Sequence, residues 1–288
     1  MNRILPKLIL HGGAGSLEGQ IERRNAFHNS LLRITAATWQ VLVDTDAHTA
    51  VMFGIRLLED DPIFNAGLGS RIQSDGQIRM SAALMSGDTR KFSGVINVQN
   101  IEHPIDLAEM LSQERFMVLA GEPASEYARQ KGFKYFNPET PARREELQRL
   151  QRGKSGTVGV VALDSKGSLV VGTSTGGVGC ESPGRVSDTP TVAGNYASPL
   201  GAVSATGTGE QIVNIGAAAR VVTLLDAGFS LQQAVDHTIG LGQELGYEFG
   251  IIALDHHGNM IAEKTCDEVF YARTDGSRIK TFFEDKPE

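Results

Sequence analysis

The chain has 288 residues, a net charge of −7, 41% hydrophobic and 21% charged residues, the profile of one or two soluble globular domains. The acidic balance argues against a phosphate-backbone binder, and no apolar run reaches the length of a membrane span, so neither nucleic acid nor membrane is an expected partner. Its two cysteines, Cys180 and Cys266, fit reduced thiols in a cytoplasmic protein better than a lone disulfide.

The chain opens with "MNRILPKLILHGGAG", in which Pro6 and Lys7 interrupt an apolar run too short for a secretory signal; Lys7–Leu10 reads as a first strand. Phe27, Leu31, Leu32, Ile34, Trp39, Val41 and Leu42 then recur at helical spacing. Asp44, Thr45 or Asp46 caps a second helix that ends before Pro62. "SRIQSDGQIRMSAAL" predicts a hairpin around Asp75-Gly76, and "KFSGVINVQ" a further strand. Helices fit Ile105–Gln113 and Ala124–Lys131, and another starts near Pro141 and runs into the polar "RGKS". "TVGVVALDSKGSLVVGTST" is a strand, a turn at Asp164–Gly167 and a strand. "FGIIALDHHGNMIAEKT" echoes it, with His256 and His257 in the turn. Helices over Glu210–Asp226, ending at Gly228, and Leu231–Leu245, between Ser230 and Gly246, lie between the two. Strands in hairpins and helices in pairs predict an α+β fold of antiparallel sheets covered by helices.

Thirty-three glycines cluster at 12–15, 67–69, 153–184 and 194–209, so several glycine loops are expected to meet at one site. One cluster holds Gly-Thr-Ser-Thr-Gly, a G-x-S-x-G match at Ser174, and "HGGAG" looks like the oxyanion loop of a serine hydrolase. A nucleophile elbow needs a helix after the serine. Here "GGVGCESPGRVSDTP" follows, which reads as a long loop. A downstream Asp and His exist (Asp236 and His237, His256, His257), but any protein of this size offers such a pair. Ser174 is a poor nucleophile candidate.

Five blocks in order resemble the plant-type asparaginases and isoaspartyl peptidases, threonine members of the N-terminal-nucleophile hydrolases. They are "LILHGGAG", "FNAGLGS", "GTVGVVALDSKGSLVVGTSTGG", "GRVSDTP" and "SATGTGE". The resemblance implies a single domain, residues 1–288, folded as a four-layer αββα sandwich. It implies self-cleavage between Gly156 and Thr157 into an α subunit 1–156 and a β subunit 157–288, assembled as a dimer of αβ units. Thr157 matches the nucleophile, and a freed α-amine of unperturbed pKa about 8 suits the task of its base. Thr175 matches the residue that tunes it, Asn65 one that positions the attacked groups, and Thr206 and Gly207 the oxyanion pair. Arg185 and Asp188 match a clamp on the substrate's α-carboxylate and α-ammonium, with Gly209 completing that pocket. "HGGAG" matches a loop that supports self-cleavage, in which His11 has no acid–base role. No side chain matches a metal ligand. A structural sodium ion on the backbone carbonyls of Leu58 to Phe64 is what relatives carry, and no other cofactor is implied.

The implied substrates are isoaspartyl dipeptides and L-asparagine. The chain departs from the family where Ser81 and Ser86 stand for two aspartates, where Ser187 stands for a glycine, and in a shortened "TVAGNYASPLGAVS" loop. These departures bear on substrate preference and cleavage rate. They leave open a glycosylasparaginase-like or other threonine hydrolase, or a catalytically silent relative.

Overall fold

The computed structural model describes residues 4–149 and 156–284, so "RGKS" (152–155) lies outside the described residues. One sheet runs in the order β12 (Ile279–Thr281), β11 (Glu268–Thr274), β1 (Lys7–Gly15), β5 (Val158–Leu163), β6 (Leu169–Thr175), β2 (Met80–Ser86), β3 (Lys91–Val98), β4 (Val118–Ala120). The second runs β10 (Met260–Lys264), β9 (Phe249–Asp255), β8 (Gly201–Gly207), β7 (Asn195–Ser198). Described pairings are antiparallel except that of β3 with the three-residue edge strand β4.

The helices α1 (Ile21–Asp44), α2 (Ala47–Asp60), α3 (Pro104–Leu111) and α4 (Gly121–Gln130) pack on the larger sheet. The helices α6 (Gly209–Ile215), α7 (Ala217–Asp226) and α8 (Leu231–Glu244) pack on the smaller one. Between them β1, β5 and β6 face β8 and β9. Strands covered on both faces need no polar alternation, which is why "VGVVAL", "LVVGTST" and "FGIIALD" read as almost unbroken apolar or small runs and are buried throughout. At Gly172 the helix α2 comes so close that a Cβ would lie 2.8 Å from Val51 Cγ1.

Local signals placed most boundaries. Asp46 caps α2 by accepting from Thr49 N–H, and Ser230 and Gln233 form a capping box on α8. The turns after β5 and β9 share one chemistry, with Asp164 and Asp255 each accepting two backbone N–H groups of the turn. Cys266 is a free thiol.

Three expectations need correction. The first strand continues past Leu10 to Gly15, with a register shift between His11 and Ala14, because β11 pairs along the glycine segment. The Asp75-Gly76 turn is present, but its arms form no ladder. Arg71 N–H goes to Asn65 Oδ1 and Ser74 N–H to Glu181 O, so the segment braces distant loops. The helix read over Glu210–Asp226 is two helices, broken at Gly216 with φ +60°. The break aims the first amides of α7 at the carbonyls of Val192 and Ala193. Smaller shifts occur elsewhere: α3 starts at Pro104 and ends at Leu111, and α4 starts three residues early at Gly121. The helix from Pro141 is α5 (Pro141–Gln148), capped by Thr140.

Candidate active site

Thr157 stands immediately before β5, a strand held by β1 on one side and β6 on the other. Its Oγ1 donates to Thr175 Oγ1 at 3.2 Å, and Thr175 Oγ1 accepts from Gly177 N–H at 3.1 Å. Both threonines are buried. Gly156 packs against Asn65 so tightly that a Cβ on it would lie 2.7 Å from Asn65 Cβ. Asn65 is itself fixed, since its Nδ2 donates to Gly177 O and its carbonyl accepts Gly176 N–H.

Ser174 is the neighbour that the G-x-S-x-G match singles out. It points to the opposite face of β6, is fully buried, and gives its hydroxyl to Glu59 Oε1 at 2.6 Å. Burial holds the Glu59 carboxyl well above the usual carboxylate range. No helix follows before β7. A serine-esterase reading therefore fails on geometry.

At the end of β8, Thr206 Oγ1 is buried and has no hydrogen-bond partner among the described residues. Gly207 and Thr208 follow and lead into α6, forming one wall of a cavity of about 440 Å³ lined also by Gly15, Arg185, Glu210 and Cys266. Arg185 and Asp188 converge on Gly209. A Cβ placed there would lie 2.9 Å from Asp188 Oδ1, 3.1 Å from Arg185 Nη2 and 3.2 Å from Ser187 Cβ. The departure at Ser187 thus puts its side chain against the same glycine.

The arginine is gripped from two sides. Its Nε and Nη2 donate to the two oxygens of Glu210 at 2.7 and 2.9 Å, and its Nη1 donates to Glu181 Oε2 at 2.8 Å. Its carbonyl accepts from Asn97 Nδ2, and Asn97 N–H bonds Ser81 Oγ, one strand away from Thr175. The departure at Ser81 is therefore part of the support of the site, whereas Ser86 lies at the far end of β2. Asp188 is 2% exposed and its Oδ2 has no partner among the described residues. Burial pushes its carboxyl up to about 7, with Arg185 pulling the other way.

Sequence reasoning missed Glu181, Glu210 and Asn97. Glu181 pairs with Arg185 across a turn at Pro183-Gly184, where a four-residue spacing is no signal because no helix is present; Asn97 left no signal. A second cavity of about 420 Å³ lies behind Gly156, lined by Arg23, Arg71, Arg143 and Glu146. Among the described residues no cluster of side chains offers a metal site, and no helix is long and apolar enough to cross a membrane.

The described arrangement is a threonine hydroxyl at the head of a strand held by two others, a cavity lined by Arg185 and Gly207, and an arginine and an aspartate that converge on Gly209. A family model described as "Asparaginase" matches residues 4–155 and 147–284. The chain is 42% identical to a Synechocystis protein named isoaspartyl peptidase/L-asparaginase, over 95% of this chain and 89% of the relative. It is 34% identical to a plant-type L-asparaginase of Pyrococcus abyssi (92% and 95% covered) and 35% identical to an isoaspartyl peptidase of Salmonella typhimurium (88% and 90% covered). With the match running nearly end to end, the chain belongs to the asparaginase family.

Proposed function

We propose that the protein hydrolyses β-aspartyl amides, isoaspartyl dipeptides and L-asparagine among them, through a threonyl acyl-enzyme formed after self-cleavage at Gly156–Thr157. The observation that carries this reading is the placement of Thr157, whose hydroxyl rests on Thr175 at the head of a central strand. The names of the relatives support the substrate class over the glycosylasparaginase alternative. The two stacked sheets, with α1–α4 outside one and α6–α8 outside the other, support the four-layer αββα sandwich and a single domain.

Cleavage frees an α-amine on Thr157. Thr157 Oγ1 attacks the side-chain carbonyl of the aspartyl group, its proton passes to that amine and then to the leaving nitrogen, and the C–N bond breaks. Water then opens the ester, releasing aspartate and restoring the hydroxyl. Thr206 Oγ1 and Gly207 N–H are assigned to the oxyanion, Thr175 and Asn65 to holding the nucleophile. Arg185 takes the α-carboxylate and Asp188 the α-ammonium, and Gly209 leaves them room. A sodium ion on the carbonyls of Leu58 to Phe64 fits as a structural ion: Glu59, Asp61 and Phe64 carbonyls each accept one hydrogen bond, which leaves a second lone pair. The proposed assembly is a dimer of αβ units.

Turnover of β-Asp-Leu across pH tests the reading. An Asp188 pKa near 7 means that the empty site is protonated below that pH, and only the ionised form binds an ammonium. The Thr157 amine must also be neutral to act as base. Both protons leave as pH rises, so kcat/KM is expected to climb between pH 5 and 8 with a slope steeper than one proton. In the empty protein the raised pKa works the other way on stability, which falls as pH rises from about 4 to 7. Flat kcat/KM over this range, or no turnover, would count against the assignment.

Thr206→Ala is expected to lower kcat by about 10²–10³ with a much smaller change in KM, as for a lost oxyanion donor. Steady-state kinetics within a few-fold of the unsubstituted protein would remove Thr206 from the oxyanion site.

A further inference from the structure

Beneath the candidate site lies a second row of polar side chains that the proposed chemistry does not use. His11 Nε2 is 2.9 Å from Ser204 Oγ, Ser204 Oγ is 2.8 Å from Thr173 Oγ1, and Thr173 Oγ1 donates to Asn195 Oδ1 at 2.8 Å. All four residues have no solvent exposure. Burying four polar groups between two sheets is costly unless each is bonded, so their presence calls for a reason beyond filling space.

Their register supplies one. Across the larger sheet His11 pairs with Gly159 and Gly159 with Thr173, so the three form a row over β1, β5 and β6. Across the smaller sheet Asn195 pairs with Ser204. Side chains two residues apart share a strand face. Thr157 is two residues before Gly159, Thr175 two after Thr173, and Thr206 two after Ser204. The threonines of the candidate site therefore stand one layer above the buried row, strand for strand.

Gly159 is what lets the rows meet. A Cβ there would lie 2.1 Å from Ser204 Oγ and 2.4 Å from His11 Nε2, so the vacant position admits the hydroxyl of the opposing sheet. The imidazole also approaches the backbone of Thr157, though Nδ1 falls short of full hydrogen-bond geometry. Burial drives its pKa down to about 3, so the ring is a neutral hydrogen-bonding spacer across the working pH range.

We propose that His11, Ser204 and Thr173 are positioning residues: a buried brace that fixes β8, which carries Thr206, against the strands that carry Thr157 and Thr175. It rests on the assignment of Thr157 as nucleophile and Thr206 as oxyanion donor. An error of about 1 Å between attacking oxygen and oxyanion donor costs on the order of 10² in rate without weakening the grip on the substrate.

The test uses two substitutions at one position. Thr173→Val removes the hydroxyl and keeps the shape, whereas Thr173→Ser keeps the hydroxyl and trims a methyl. Ser204→Ala removes the central hydroxyl independently. In processed protein, kcat for β-Asp-Leu is expected to fall about 10- to 100-fold in Thr173→Val and Ser204→Ala, with KM within about twofold. Thr173→Ser is expected to stay within about threefold of the unsubstituted protein. Equal losses in Thr173→Val and Thr173→Ser would mean that packing, not the hydrogen bond, matters, and would overturn the brace. So would unchanged kcat in Thr173→Val, or a rise confined to KM. An active unsubstituted protein with unaffected variants sinks the brace alone; an inactive unsubstituted protein sinks the functional reading on which it rests.

Discussion

Thr157→Ala is expected to yield one full-length chain with no measurable turnover, and the unsubstituted protein is expected to separate under denaturing conditions into fragments 1–156 and 157–288. Alanine removes the hydroxyl proposed to attack in self-cleavage and in catalysis alike. The loss in kcat should therefore reach at least about 10⁴-fold, with no second hydroxyl in position to substitute. Thr175 is the nearest other hydroxyl, and its own hydrogen-bond position on Gly177 N–H holds it back. Ser174→Ala is the contrasting variant. It strips the hydroxyl donor from buried Glu59 and leaves only the longer bond from Ile105 N–H, so it should lower Tm and spare kcat. Intact-mass measurement and β-Asp-Leu kinetics on both variants decide the matter. A Thr157→Ala protein that still turns over would end the threonine mechanism.

N-acetylation of β-Asp-Leu is expected to lower kcat/KM by at least about 10³-fold. Blocking the amine removes the cation from a carboxylate that is 2% exposed and has an orphaned oxygen, and a site built around a polar partner rejects an analogue that lacks it. Arg185→Lys should cost about 10²-fold, because the charge survives while the fork held between Glu181 and Glu210 does not. Gly209→Ala attacks the same pocket sterically, driving a methyl against Asp188 Oδ1 and Arg185 Nη2, and should raise KM strongly. Kinetics on the free and blocked peptides test the clamp directly: equal turnover would remove it, and the substrate class with it.

How far these assignments were legible in the sequence depended on whether their signal was local. The strands β5, β6 and β9 were visible as long apolar or small runs, and Ser230 announced α8 through its own side chain. Gly216 hid the break after α6 because a single glycine inside a helical pattern costs only about 1 kcal/mol and often passes unbroken. The Asp75-Gly76 turn was legible, but the partners of its arms, Asn65 and Glu181, come from other parts of the chain. The site followed the same rule. Thr157, Thr175, Thr206, Arg185 and Asp188 were proposed from motif order, not spacing. Glu210 as a partner of Arg185, 25 residues away, and His11 against Ser204, 193 residues away, depend on which strands become neighbours.

The strand order of the larger sheet carries a consequence for any chain opened before Thr157. Strand β1, from the first piece, lies between β11 and β5 of the second, and β6 of the second lies against β2 of the first. The two pieces are woven through one sheet, so neither departs without tearing out ladders on both of its edges. Before opening, unfolding and refolding concern one molecule. Afterwards refolding needs two pieces to find each other, and its rate falls with dilution while the assembled sheet persists by the height of its unfolding barrier. A single cut peptide bond thus changes a fold that can regain itself alone into one that is made once and kept.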